Sequence, residues 1–133
     1  MSAGDAPLFT TLDALAVDRA AAGRRYHEFL RVPDLSAGVY HLEVGAEDPQ
    51  SPHGEDEIYV VVRGQARFRA GTADAEVGPG SVLFVPARME HRFHTIRVPL
   101  DVLVIFGPAE GIPAEVSPAE VSDTSLDPGG YSV

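Results

Sequence analysis

The chain has 133 residues, which fits one domain, and at this size folding buries roughly two-thirds of the surface the unfolded chain exposes. It carries 20 acidic against 10 basic residues, a formal net charge of -10, which argues against a nucleic-acid footprint or docking on anionic membranes and favours solubility. The absence of cysteine excludes disulfides, thiolate catalysis and Cys-rich zinc sites; with no signal-peptide pattern and no apolar run near about 20 residues, a soluble cytoplasmic protein is expected.

Residues 1–10 read as a loose start. "TLDALAVDRAAAGR" then reads as a short helix: Thr11 suits the N-cap, Asp13 the first turn, and Arg24 and Arg25 the end. Leu12, Leu15, Ala16 and Ala20 form its candidate apolar stripe. From Arg25 the period changes to two. "YHEFLRV" and "GVYHLEV" read as strands, with Tyr40, Leu42 and Val44 on one face of the second. "GAEDPQSPHG" is a polar loop. "EIYVVVRG" reads as a strand ending at Gly64, and "QARFRA" as another, with Ala66, Phe68 and Ala70 opposed to an outer polar row of Gln65, Arg67 and Arg69. "GTAD" marks a hairpin turn, "AEV" leads into the turn "GPG", and "SVLFVP" is a strand closed by Pro86. After the loop "ARME" come two further strands, "HRFHTI" and "LDVLVIFG". Past Gly107 the composition turns to Pro, Ser, Glu and Gly without periodicity. The expected division is an N-terminal arm and helix over 1–24, a β domain over 25–107 and a tail over 108–133. Short strands at regular spacing with Gly and Pro turns predict an all-β sandwich or barrel.

Residues two apart on a strand share a face. Glu57, Tyr59 and Val61 therefore line one face of their strand and Ile58, Val60 and Val62 the other. Both faces are apolar apart from Glu57, so the strand is expected to be buried on both sides. A carboxylate at the edge of such a strand is costly unless it is paired, protonated or bound to a cation. His53 lies four residues upstream, and His91 opens a strand whose inward face would carry Phe93. Two imidazoles and one carboxylate converging in a barrel form a ligand set for one divalent transition metal: iron, manganese, zinc, nickel or copper. The alternative is an ordinary placement of His and Glu at strand ends.

The spacing of these residues resembles that of a small single-domain cupin. The first cupin pattern is a glycine, five residues, H-x-H, three or four residues, glutamate, six residues and glycine. Here it reads Gly45, five residues, Ser51-Pro52-His53, three residues, Glu57, six residues, Gly64. The second is a glycine, five residues, P-x-G, two residues, histidine, three residues and asparagine. Here it reads Gly80, five residues, Pro86-Ala87-Arg88, two residues, His91, three residues, Thr95. The resemblance spans about residues 38–106. It implies a double-stranded β-helix, or jelly-roll barrel, often a homodimer, with a metal held by up to three histidines and one glutamate. By position His53, Glu57 and His91 correspond to three of those ligands.

Three departures stand out. Ser51 occupies the first histidine position, so the set reduces to two histidines and a carboxylate; the amide of Gln50 is a weaker substitute candidate. Arg88 replaces a glycine, at a cost of about 1 kcal/mol if that position needs a positive φ. It is read either as a solvated loop residue or as a cation gripping an anionic substrate. Thr95 replaces the asparagine. Tyr59 shares the face of Glu57, so it is the candidate proton donor as well as a core residue. Phe93 and Phe68 are candidate pocket walls or plain core. His94 is expected at the surface, and His41 opposite the Tyr40 face. Glu55 and Asp56 are expected to be solvated, with Glu55 a possible competitor for the metal. The resulting expectation is a metal-dependent small cupin acting on a small organic molecule, as an oxygenase or a metal-assisted isomerase or lyase. The alternative is a non-catalytic metal- or metabolite-binding module.

Overall fold

The structure, a computed structural model, describes residues 6–49 and 52–111. Helix α1 spans Leu12–Ala22. The Thr11 hydroxyl accepts from the Ala14 N–H at 3.1 Å, and Gly23 ends the helix at φ 68°, its N–H on the Ala20 carbonyl, a left-handed cap that glycine adopts without strain. The helix thus ends at Ala22, two residues before Arg24, the first of the arginines expected to end it. Of its expected stripe only Leu15 is buried; Leu12 is 41% exposed and Ala20 is exposed as well.

Six strands follow: β1 Tyr26–Val32, β2 Leu35–Leu42, β3 Asp56–Ala70, β4 Ala73–Val77, β5 Val82–Val85 and β6 His91–Gly107. All pairings are antiparallel, in the order β1-β2-β6-β3-β4, with β5 also on β3. The two stretches expected as separate strands on either side of Gly64 are one strand, and so are the two expected on either side of residues 97–99.

β3 and β6 pair from Asp56↔Gly107 to Ala70↔His91, with register shifts between Val61 and Arg63, Arg63 and Gln65, and Gln65 and Arg67. Such irregularities bend a strand and raise its twist. Gly64 sits among them at φ 100°, and a Cβ there would lie 2.2 Å from the Pro99 carbonyl oxygen. Its lack of a side chain is what lets the two strands cross at the bend.

Alternate residues of each strand fill the interior. Tyr40 and Leu42 of β2, Tyr59 and Val61 of β3, and Leu100, Val102, Val104 and Phe106 of β6 are each at most 1% exposed. Val44, expected to continue the Tyr40 face, lies past the end of β2 and is 57% exposed. β3 is not buried on both sides: its outward face carries Ile58, 40% exposed, beside Phe84 of β5 at 63%. Among the described residues no helix is long and apolar enough to cross a membrane.

Candidate metal centre

His91 and Glu57 stand near opposite ends of the β3–β6 ladder, where Ala70 pairs His91 and Glu57 pairs Phe106. At about 3.3 Å per residue, the thirteen steps from Glu57 to Ala70 along β3 would cover about 43 Å if the strand were straight. Yet His91 Nε2 lies 3.2 Å from Glu57 Oε1. The ladder has curled so that its two ends meet across the interior.

The segment entering β3 delivers His53 and Glu57 by simple alternation: His53, Glu55 and Glu57 are buried, while Gly54 and Asp56 are exposed. The loop before β6 is stitched to this segment. The Arg88 N–H donates to the His53 carbonyl at 2.6 Å, and the Ala87 N–H donates to Asp56 Oδ1 at 2.9 Å. Arg88 reaches this geometry at φ 68°. The two sequence patterns are therefore joined by one backbone–backbone and one backbone–side-chain hydrogen bond.

His53, Glu57 and His91 each offer a ligand atom, and the three lie within 4.8 Å of one another. They are 7%, 1% and 0% exposed. An ion bonding N and O donors at about 2.0–2.2 Å sets its ligands no more than about 4.4 Å apart, so the triad needs only small rotations to close on one. The donors suit iron(II), manganese, zinc, nickel or copper. His91 and Glu57 each have a further partner. His91 Nδ1 lies 2.8 Å from the Met89 carbonyl, a contact that needs the proton on Nδ1 and turns Nε2 toward Glu57, as a donor when the ring is protonated and as a lone pair for an ion when it is neutral. The Tyr59 hydroxyl donates to Glu57 Oε2 at 2.6 Å.

The electrostatics follow from burial and from Glu57. Desolvation alone would lower the pKa of His91, but the hydrogen bond and charge of Glu57 and the Met89 carbonyl outweigh it and raise it. Burial, then the charge and hydrogen bond of Glu57, push the Tyr59 phenol well above its usual range, so it stays a donor at neutral pH.

Tyr59 and Phe93 meet edge to face at 5.4 Å, Tyr59 and Phe68 at 5.5 Å, and Phe68 and Phe93 at 4.7 Å between ring centroids. Tyr59 and Phe68 lie 5.8 and 6.2 Å from the His91 ring, and Phe93 behind them is 1% exposed. Arg88 is exposed on the loop before His91. Gln50 and Ser51 lie outside the described residues. His94 is at the surface with Asp74 at 2.9 Å. His41 faces outward, between Asp101 at 2.8 Å and Glu43. Arg67 and Arg69 are outward too, both paired with Asp74.

Glu55 corrects an expectation. It is not solvated but 3% exposed, beside Glu110 at 3%. Burial is the largest influence on both, raising Glu55 to about 7 and Glu110 to about 8. The period-two spacing of residues 53, 55 and 57 carried the signal for Glu55, whereas Glu110 falls in a stretch with no periodicity. Asp56 is exposed as expected, but it holds the loop at Ala87. Asp48, not singled out from the sequence, is 4% exposed; it accepts from the Tyr40 hydroxyl at 2.6 Å and from the Phe93 N–H at 2.9 Å. It pins the loop that carries His53 onto the strand that carries His91.

Known proteins bear on this geometry. A family model described as a cupin domain matches residues 38–106. The chain is 46% identical over 99 residues to an uncharacterized protein of Streptomyces coelicolor, covering 74% of this chain and 94% of that one. Its fold superposes on a Bacillus halodurans protein with a TM-score of 0.69 at 19% identity, over 80% and 84% of the two chains. It also superposes on an RmlC-like cupin with a double-stranded β-helix fold from Methanocaldococcus jannaschii, with a TM-score of 0.59 at 13% identity, over 64% and 80%. Matched by the cupin model over more than half its length and folded as its relatives are, the chain belongs to the cupin family.

Proposed function

We propose that His53, Glu57 and His91 hold one divalent transition metal, and that the protein binds a small organic molecule there and acts on it. The observation that carries this is the convergence of three buried ligand atoms within 4.8 Å, brought together from opposite ends of one strand ladder. Such an ion, with positions left open, supplies Lewis-acid polarisation or oxygen activation. The chain's own residues do the rest. Tyr59 engages one oxygen of Glu57 and leaves the other for the ion, and it is the protonated group nearest the triad. Phe93 walls the site on its apolar side. Arg88, on the adjoining loop, is the cation for an anionic substrate group. The reaction class is oxygenation or metal-assisted isomerisation or lysis.

A non-catalytic metal- or metabolite-binding module is the second reading, favoured by the tight aromatic packing under the triad and its near-complete burial. Metal analysis of tag-free protein tests both: about one equivalent is expected in the wild type and far less in His91→Ala. Metal-free wild-type protein with the same stability as the variant would sink both readings. Oxygen uptake by the iron(II)-loaded protein with candidate substrates separates oxygenase from binder. A homodimer belongs to the same proposal, and the outward apolar residues Ile58, Val82 and Phe84 support it. Sedimentation as a monomer at micromolar concentration would remove it.

A further inference from the structure

Behind His53 lie two buried carboxylates that the triad does not use. Glu55 Oε1 and Glu110 Oε2 have no hydrogen-bond partner. These same two oxygens face His53 Nδ1, at 4.0 and 3.7 Å. Leaving buried carboxylate oxygens unsatisfied is costly, so the arrangement calls for a reason.

The segment that brings Glu110 here is firmly seated. Ala109 is fully buried and its N–H donates to the Pro33 carbonyl at 3.3 Å. The Glu110 N–H donates to Ser36 Oγ at 2.9 Å.

A histidine that binds a metal through one ring nitrogen almost always donates its other N–H to a carboxylate or carbonyl, which fixes tautomer and orientation. His91 has such a partner in the Met89 carbonyl. We infer that Glu110 and Glu55 are a positioning pair for His53, receiving its Nδ1–H and so presenting Nε2 to Glu57 and His91; the inference rests on the metal reading above. The distances exceed a direct hydrogen bond, and a small rotation of the ring or one bridging water closes them. The consequence is specific: the centre depends on Glu110, which lies beyond the residues 38–106 that the family model matches.

The test uses Glu110→Gln and the double variant Glu55→Gln/Glu110→Gln in the full chain. Competitive titration with zinc(II) is expected to show affinity weakened about 10- to 100-fold, while the metal-free melting temperature stays level or rises because a buried acid has gone. Unchanged affinity, or affinity lost only in step with metal-free stability, overturns the inference. A second readout needs no metal: ring-nitrogen NMR of metal-free protein should show the His53 proton on Nδ1 in the wild type, moving toward Nε2 in the double variant. If the wild type binds no zinc, the metal reading fails and this measurement alone decides the pair. A His53 proton on Nε2 in the wild type, or no change on substitution, overturns it.

Discussion

Arg88 holds a backbone conformation, φ 68°, that costs an L-residue about 1–2 kcal/mol. Its N–H uses that conformation to reach the His53 carbonyl at 2.6 Å, so the loop demands the φ value whatever side chain is present. The cupin pattern places a glycine there, which adopts it freely. Arg88→Gly is therefore expected to stabilise the protein by about 0.5–1 kcal/mol, after allowing for the greater freedom of glycine in the unfolded chain. Denaturant unfolding measures this, with metal content unchanged. A destabilised variant would mean that the arginine side chain makes contacts outweighing the strain. Thr95 sits at φ 51°, where the same pattern places an asparagine, a residue that tolerates this region better than a β-branched one. Both departures from the pattern thus fall where the backbone turns left-handed. That explains why the pattern specifies those residue types, and it leaves the side chain of Arg88 as the reason to look for use rather than economy.

At the scale of elements, the β3–β6 ladder makes the centre, and Gly64 makes the ladder. A Cβ there meets the Pro99 carbonyl oxygen at 2.2 Å and Leu100 Cα at 2.7 Å, both backbone atoms with little room to retreat. Gly64→Ala is expected to destabilise by roughly 3 kcal/mol or more, since left-handed strain adds to overpacking. Gly45→Ala is the control: it has positive φ but nothing within 4 Å of the added Cβ, so it should cost about 1–2 kcal/mol. Equal costs in equilibrium unfolding would show that close approach at Gly64 is unimportant. Much of this was legible in the chain. Alternation placed Glu57, Tyr59 and Val61 on one face, and spacing singled out His53 and His91. What could not be read was continuity: a glycine amid bulges looks like a strand end, and only the pairing with β6 shows that the strand runs on. The outer face of β3 is less buried than Ile58, Val60 and Val62 suggest, because sequence does not reveal whether a second layer covers them. Glu110 was invisible because a residue beyond the last periodic segment has no partner in the pattern that would place it.

For the whole molecule, the buried ionisable groups act in one direction. Asp48, Glu55 and Glu110 are raised chiefly by burial, the last two to about 7 and about 8 from a usual 4.5, and His91 is raised by Glu57 against its own desolvation. A group raised in the folded state binds more protons there than in the unfolded chain, so its contribution is present at lower pH and lost as pH rises through the folded value. For the carboxyls this loss runs from the ordinary carboxylate range up to about pH 8, and for His91 it continues through its raised value. The net charge of -10 adds self-repulsion of the same sign as more carboxyls ionise. Metal-free protein is therefore expected to melt at progressively lower temperature from about pH 5 to about pH 8.5. Metal reverses the trend, because the ion takes deprotonated ligands and its affinity grows as protons leave them. The difference in melting temperature between metal-saturated and metal-free protein should widen across the same interval. Thermal unfolding at a series of pH values, with and without zinc(II), measures both slopes. A metal-free melting temperature that rises with pH would show that these acids are not protonated in the folded protein, and a difference that stays constant would show that the ion does not displace a proton from His91.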